Sequence, residues 1–151
     1  MKWNFRIVEK PSYKECKQML KMIQESFGMK AETIYFFKIF ADFGKIYTTY
    51  DNEIPICVIQ TLKDWNDVRR VQIVSIAVHP NYQRKGVAIF TVEEMIKSLK
   101  SEGIRSVGIR VTPNHEPMLK IFQRKLGFSV LKKMEDYYGL NKDRLYLEKK
   151  I

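Results

Sequence analysis

The sequence predicts an α/β domain in which helices flank a mixed central sheet. Segments with strand-like and helix-like patterns follow one another in the order β, α, α, β, β, β, α, β, α, β, β. The 151 residues, 45% of them hydrophobic, suffice for one compact core, so we expect a single domain over residues 1–151. Residues 71–99 also place an apolar strand, a short polar loop and an amphipathic helix in direct succession.

The first part of the chain predicts one strand and two helices. Residues 5–9 form the strand, and a helix follows Pro11, with Ser12 and Glu15 matching a capping box and Gly28 ending the helix. A second helix is expected over residues 32–43. It carries five aromatic residues: Tyr35, Phe36, Phe37, Phe40 and Phe43. Helical spacing predicts that its phenylalanines pack in the core.

The middle of the chain predicts a hairpin and the central strand. Residues 45–50 and 54–62 should pair as antiparallel strands, and residues 63–70 form a polar loop. The apolar run at residues 73–78 is typical of a strand that is buried on both faces. Apolar residues then recur at helical spacing at Ala88, Val92, Met95, Ile96 and Leu99, and this helix ends at Gly103.

The last part predicts a strand, a helix and two more strands. Residues 107–111 alternate in a strand pattern, and a helix beginning near Pro117 closes at Gly127. Residues 128–131 and 144–148 are the final strands, with a loop at residues 135–139 between them.

The loop between the central strand and its helix has the composition of an anion site. It reads Gln83, Arg84, Lys85, Gly86, Val87 and Ala88. Backbone amides at a helix N-terminus point outward and the helix dipole favours negative charge. Gly86 would let a phosphate approach the backbone, and Arg84 and Lys85 add positive charge. The alternative is a plain strand-to-helix turn.

Two motifs resemble the GNAT family of N-acetyltransferases. Val78-His79-Pro80 followed by residues 83–88 resembles its acetyl-CoA signature, and Leu126-Gly127-Phe128 resembles the end of its next motif. The resemblance implies the GNAT fold, with a mixed, mostly antiparallel sheet of about seven strands and about four helices. It also implies acetyl-CoA as co-substrate, without a metal. In that family the loop amides hold the pyrophosphate, and the strand, here Ile76, Ala77 and Val78, presents its backbone to the pantetheine.

The resemblance suggests further site residues. Asn114 would contact the pantetheine, although it precedes Gly127 by thirteen residues where the family usually has eleven. A helix irregularity or a longer loop would absorb this difference, and the alternative is a turn or capping residue. Tyr137 and Tyr138 resemble the tyrosine pair that protein N-terminal acetyltransferases place beside the acceptor, the alternative being aromatic packing. The early aromatic helix would likewise form one wall of the acceptor pocket, if it does not simply pack in the core.

The sequence identifies the proton-transfer groups less clearly than it identifies the acetyl-CoA loop. The family often has a tyrosine as general acid where this chain has Phe122 and Gln123. Tyr138 or Tyr137 would substitute, or solvent would protonate the thiolate, and Tyr138 is our catalytic candidate. The general base is unknown. Its candidates acting through water are Glu53, Glu116 and Glu135.

These features predict an acetyl-CoA-dependent N-acetyltransferase. The acceptor would be a primary amine of a protein or peptide, at an N-terminus or a lysine, attacking directly in a ternary complex. One alternative is acetylation of a small amine, a polyamine or an aminoglycoside. The other is a non-catalytic domain of the same fold that binds RNA or a ribosome.

The composition and charge of the chain indicate which partners and which location to expect. Lys and Arg number 27 against 17 Asp and Glu, a formal charge of +10 that suits a polyanionic partner or a solvated basic surface. No RNA-binding motif accompanies it, so nucleic acid is not favoured. With no signal peptide and no long apolar run, we expect a cytoplasmic protein without membrane contact, monomeric or homodimeric. Cys16 and Cys57 should be reduced core residues, and His79 and His115 lack metal-ligand spacing.

Overall fold

A computed structural model describes residues 3–27 and 32–151 of the chain. The described residues form seven strands and four α-helices in the predicted order. The strands are β1 (Trp3–Val8), β2 (Lys45–Asp51), β3 (Ile54–Asp64), β4 (Asp67–Val78), β5 (Ser106–Val111), β6 (Ser129–Met134) and β7 (Arg144–Lys150). The helices are α1 (Tyr13–Phe27), α2 (Ile34–Phe43), α3 (Val87–Ser101) and α4 (Glu116–Leu119). A 3₁₀ turn, Pro80–Tyr82, precedes α3, and a π-helical segment, Lys120–Lys125, continues α4.

The strands form one mixed sheet in the order β1-β2-β3-β4-β5-β7-β6. The pairs β1/β2, β2/β3, β5/β7 and β6/β7 are antiparallel. Strands β4 and β5 are parallel, and their register pairs Arg70 with Ser106 through Ile73 with Ile109. The predicted class, a mixed and mostly antiparallel sheet flanked by helices, is confirmed.

Contacts divide the described chain into two compact units. The first comprises the described residues up to Leu62 together with Val74–Met95, and the second comprises Lys63–Ile73 and Ile96–Ile151. The expectation of one domain over residues 1–151 stays a prediction. The core of the first unit joins both early helices to the sheet, through Cys16, Met19, Met22, Ile23, Phe37, Phe40, Ile46, Val58 and Ala77. As expected, Cys16 and Cys57 are buried free thiols.

The second unit is built around β5 and β7. Val107 and Leu147 are fully buried there, as is Phe122 of the π-helical segment. The Phe122 ring meets the Phe128 ring edge-on, with their centroids 5.0 Å apart. This aromatic pair fixes the segment that follows α4 against the start of β6.

The capping box predicted at the start of α1 is confirmed. The Ser12 amide donates to Glu15 Oε1 at 3.0 Å, and the Glu15 amide donates to Ser12 Oγ at 3.1 Å. The two reciprocal bonds satisfy free amides at the helix start. Gly28, predicted to end this helix, lies outside the described residues.

The predicted loop at residues 63–70 is wrong. Strand β3 continues to Asp64 and β4 already begins at Asp67, so only a tight turn separates them. Asp64 Oδ1 accepts the Asn66 amide at 2.8 Å, and Asp64 Oδ2 pairs with Arg70 Nε at 2.9 Å. Charged side chains that pair with each other are compatible with a strand, which is why polarity alone misplaced this boundary.

Two burial predictions also need correction. The run at residues 73–78 is not buried on both faces, because Val74 is 51% exposed while Ala77 is buried. On α2, Phe37 and Phe40 are buried as predicted. The other aromatic side chains of α2 are exposed: Tyr35, Phe36 and Phe43. Phe37 and Phe40 lie on the stripe of α2 that packs in the core, whereas Phe36 and Phe43 lie outside it.

Candidate active site

The loop before α3 leaves its backbone amides unpaired. The Phe90 amide donates to the Gly86 carbonyl at 3.0 Å, which is the first bond of the helix. The three preceding helical amides, at residues 87–89, have no partner within the helix, because it begins at Val87. Within residues 3–27 and 32–151, no carbonyl accepts the amides of residues 83–86 either. These side chains are exposed, so the amide cluster has the open setting that an anion site needs.

Gly86 is required by the backbone conformation of this loop. Its φ is +83°, in the left-handed region that favours glycine, and Arg84 has a φ of +62°. A Cβ built on Gly86 would meet no heavy atom within 4 Å. The space beside this glycine is therefore open, and a ligand can approach its backbone.

Polar contacts hold the loop on the first unit. The Tyr82 hydroxyl donates to Asp51 Oδ2 at 2.8 Å, and this bond raises the pKa of the phenol. The His79 amide donates to the Ile56 carbonyl at 2.9 Å, while His79 Nδ1 accepts the Asn81 amide at 3.1 Å. His79 therefore stabilises the turn that leads into the loop.

A buried hydroxyl pair fixes the first turn of α3. Thr91 Oγ1 lies 2.7 Å from Thr49 Oγ1 of β2 and donates to the Val87 carbonyl at 2.8 Å. The side chains of Val87 and Ala88 are buried beside it. Burial raises the pKa of the nearby Cys57 thiol to about 12. The first turn of α3 is thus bonded to β2 on its buried side, while the loop at residues 83–86 stays exposed.

The loop carries positive charge that no carboxylate neutralises. In the part of the chain that the structure describes, neither Arg84 nor Lys85 forms an ion pair. Lys85 Nζ lies 5.6 Å from the Tyr82 ring centroid, and Gln83 Nε2 donates to the Val78 carbonyl at 3.3 Å. The unpaired amides and two cations together suit a polyanionic group such as a diphosphate.

The end of β4 leads directly into this loop. Ala77 packs in the core of the first unit, while Ile76 and Val78 are half-buried. These residues lie beyond Ile73, where the recorded pairing with β5 ends. The three positions expected to face pantetheine therefore belong to the same unit as the loop.

Asn114 lies in the second unit, in the turn before α4. It is exposed, and its carbonyl accepts the Glu116 amide at 3.1 Å. The side chain that caps α4 is His115, whose Nδ1 accepts the Met118 amide at 3.3 Å, so the capping alternative for Asn114 is wrong. The helix irregularity that would absorb the long spacing to Gly127 is present, as the π-helical segment Lys120–Lys125.

Tyr137 and Tyr138 lie in the turn between β6 and β7. Both are exposed, and their rings meet edge-on with centroids 4.7 Å apart. The Arg110 guanidinium lies 5.3 Å from the Tyr137 ring, and that of Arg144 lies 4.7 Å from the Tyr138 ring. The pair thus packs on its neighbours, as one alternative held, while much of its surface stays exposed.

The residues considered for proton transfer lie on the surface or in the core. Glu53, Glu116 and Glu135 are all exposed. Gln123 is exposed too, whereas Phe122 is fully buried. Because all three glutamates are exposed, burial marks none of them as the base.

A polar cleft of about 380 Å³ in the second unit was not predicted from the sequence. Its lining residues are Asp64, Asn66, Arg70, Gln72, Arg110, Leu131, Lys132, Tyr146 and Glu148. Gln72 Nε2 donates to the Tyr146 hydroxyl at 3.0 Å, which donates to Glu148 Oε1 at 3.1 Å. Burial raises the pKa of Tyr146. Polar residues within apolar strands, Gln72 and Arg110 above all, were the signal that could have revealed it.

Two further properties concern metals and membranes. Among residues 3–27 and 32–151, no group of three or more His, Cys, Asp or Glu side chains is placed to hold a metal ion. None of the helices in these ranges combines the length and apolarity needed to cross a bilayer.

Comparisons with known proteins agree on one family. An N-alpha-acetyltransferase from Saccharolobus solfataricus is 32% identical over 77 residues, 50% of this chain and 46% of that protein. This match thus spans about half the length of the curated relative. The ribosomal-protein-S18-alanine N-acetyltransferase from Escherichia coli has the same fold, with a TM-score of 0.81, 16% identity and coverage of 98% and 94% of the two chains. A NatC complex bound to Gag peptide and CoA gives a TM-score of 0.84, 22% identity and coverage of 100% and 99%. The profile of the Acetyltransferase (GNAT) family matches residues 12–128, well over half of the sequence, and the chain belongs to this family.

Proposed function

We propose that this protein transfers the acetyl group of acetyl-CoA to a primary amine of a protein or peptide, at an N-terminus or a lysine. The observation that carries the proposal is the exposed, basic loop at residues 83–86, open beside Gly86 and followed by the N-terminus of α3. The relative from Saccharolobus solfataricus is an N-alpha-acetyltransferase, and the NatC structure of the same fold holds a peptide and CoA. Both favour a polypeptide acceptor.

In this proposal the loop holds the diphosphate of the co-substrate. The amides of residues 83–88 donate to its oxygens, and Arg84 and Lys85 balance its charge. Contacts that order the loop in the free protein should increase affinity, because less free energy is then lost in ordering the loop on binding. The Thr49–Thr91 pair and the Tyr82–Asp51 bond provide such contacts at the two ends of the loop.

The acetyl-bearing arm would then run along the end of β4. Backbone groups of Ile76, Ala77 and Val78 are proposed to pair with its amides, and one amide near Val78 to polarise the thioester carbonyl. Asn114 is proposed to contact the same arm. Tyr137 and Tyr138 are proposed to contact the acceptor.

The chemistry is a direct attack of a neutral amine on the thioester. A carbon–nitrogen bond forms, the carbon–sulfur bond breaks, the amine loses a proton and the thiolate gains one. Model thiols have a pKa near 8.5, so protonating the leaving group is not demanding at neutral pH. Tyr138 is the proposed donor, and no residue is assigned as the base.

Calorimetry with acetyl-CoA and a thiol-release assay test the proposal together. The acceptors are peptides with a free N-terminus, N-terminally blocked peptides containing lysine, a polyamine and an aminoglycoside. We expect acetyl-CoA to bind and at least one peptide class to be acetylated. Turnover of the small amines alone would refute the polypeptide acceptor. Absence of binding at millimolar acetyl-CoA would refute the transferase, and RNA binding that falls steeply with salt would then favour the non-catalytic alternative.

A further inference from the structure

The polar cleft of the second unit is formed by one face of β4, β5 and β7. Gly108 lies opposite Gln72 on one side and Glu148 on the other, and Arg110 lies opposite Tyr146 in the next row. A Cβ on Gly108 would clash with the Tyr146 hydroxyl and lie 2.6 Å from Gln72 Oε1. The missing side chain therefore makes room for a polar network across three strands.

The two carboxylates of the cleft are already paired. Arg70 Nε lies 2.9 Å from Asp64 Oδ2, and Arg70 Nη1 lies 3.6 Å from Glu148 Oε1. Gln72 adds a bond to Asp64 Oδ2 at 3.1 Å, and the Tyr146 hydroxyl donates to Glu148. Arg70 thus contacts both acidic residues, although its one positive charge balances only one of their two negative charges, and it has little capacity left for a ligand.

Arg110 is in the opposite situation. Its guanidinium carbon lies 5.3 Å from the centroid of the Tyr137 ring and 5.2 Å from that of the Tyr146 ring. Its one recorded side-chain hydrogen bond, from Nη1 to Gln72 Oε1, is long at 3.4 Å, and its buried Nε has no partner. In the described ranges no carboxylate forms an ion pair with it, nor with Lys132 on the same cleft. Arg110 thus keeps its charge and some of its hydrogen-bond donors unpaired while two aromatic rings contact its guanidinium, which suits the binding of an anion.

We propose that Arg110, assisted by Lys132, binds the side-chain carboxylate of an Asp or Glu at the first or second position of the acceptor peptide. This inference rests on the proposed function, because it assumes a peptide acceptor that Tyr137 contacts. The planar fork of an arginine matches a carboxylate in two parallel hydrogen bonds. The three cations that line the cleft, Arg70, Arg110 and Lys132, exceed its two carboxylates by one charge, so the cleft keeps a net positive charge for the ligand.

Binding of short peptides measures this recognition directly. The probes are tetrapeptide amides, otherwise alanine, with Asp at position one or two, and matched peptides with Asn or phosphoserine there. We expect one Asp peptide to bind about tenfold to a hundredfold more tightly than its Asn counterpart, the range of a charged hydrogen-bonded contact. Arg110→Met should abolish the preference. Arg110→Lys, which keeps the charge but not the fork, should weaken it.

Arg69→Met is the matched control, because Arg69 neighbours Arg70 on β4, points to the opposite face and does not line the cleft. It should keep the preference for Asp. Acetyl-CoA calorimetry and thermal unfolding on each variant identify any that has failed to fold.

The outcomes separate this inference from the proposed function. Equal binding of Asp and Asn peptides, or a preference that survives Arg110→Met, overturns the inference. Tighter binding of phosphoserine than of Asp overturns the carboxylate in favour of a phosphate. Acetylation of peptides without any preference for Asp overturns the inference alone. Binding that depends on Arg110, without acetyl transfer under any condition, overturns the transferase and still supports carboxylate recognition.

Discussion

Gly86→Glu should abolish acetyl-CoA binding, and Gly103→Glu provides its control. The two glycines stand at opposite ends of α3, with φ angles of +83° and +82°, and a Cβ on either meets nothing within 4 Å. A non-glycine residue in the left-handed region costs about 1–2 kcal/mol. Both variants should therefore lose a similar free energy of unfolding.

The variants should differ in what their new carboxylates face. Glu at position 86 places a negative charge beside the proposed diphosphate site. Two like charges about 4 Å apart repel by about 4 kcal/mol at an effective dielectric constant near 20. The affinity for acetyl-CoA should thus fall at least about a hundredfold in Gly86→Glu, and it should not change in Gly103→Glu.

Calorimetry measures the affinities and urea unfolding measures the stabilities. Gly86→Ala separates strain from charge, because it has the same backbone conformation without the carboxylate, and it should lose much less affinity than Gly86→Glu. A diphosphate site at this loop is refuted if both Glu variants bind acetyl-CoA within about threefold of each other. It is also refuted if Gly86→Ala loses as much affinity as Gly86→Glu, since strain would then explain the loss.

Three other predictions test the anchors, the cleft and the proton donor. Thr91→Val should cost about 1–3 kcal/mol of unfolding free energy in urea, because it leaves the buried Thr49 hydroxyl without its partner. Hydrogen bonds from the Asn66 amide and Arg70 lower the pKa of Asp64 to about 2, so Asp64→Asn should destabilise the protein above pH about 4. Its difference from wild type should shrink as the pH falls from about 4 towards 2; a constant difference in urea midpoint would contradict this. Tyr138→Phe should lower kcat at unchanged acetyl-CoA affinity; an unchanged kcat would assign the proton to Tyr137 or to solvent.

Local patterns in the sequence predicted the parts of the fold that depend on near neighbours. The capping box at Ser12 and Glu15 spans three residues and is formed as expected. The strand, basic loop and helix around Gly86 are likewise adjacent in the chain, so their succession could be recognised without any tertiary contact. The order of all the predicted strands and helices along the chain indicated the fold class.

For the polar cleft, local patterns offered only polar residues within apolar strands, and they could not show that these residues meet. Its lining runs from Asp64 to Glu148, and those residues meet only through the register of strands far apart in sequence. A shift of one residue in either pairing would turn Gln72 or Tyr146 to the other face of the sheet. Gly108 appeared only as one member of an alternating strand, and its role became visible once its neighbours across the sheet were known.

The burial of Phe122 bears on where a proton donor can lie. Phe122 stands where the family resemblance leads one to expect a tyrosine, and its ring packs fully buried against Phe128. A phenol there would bury its hydroxyl in an apolar setting and cost about 1–3 kcal/mol unless it found a partner. Core packing therefore favours phenylalanine at this position. Tyr137 and Tyr138 are both exposed phenols in the turn proposed to contact the acceptor, and Tyr138, whose ring lies 4.7 Å from the Arg144 guanidinium, is the proposed donor.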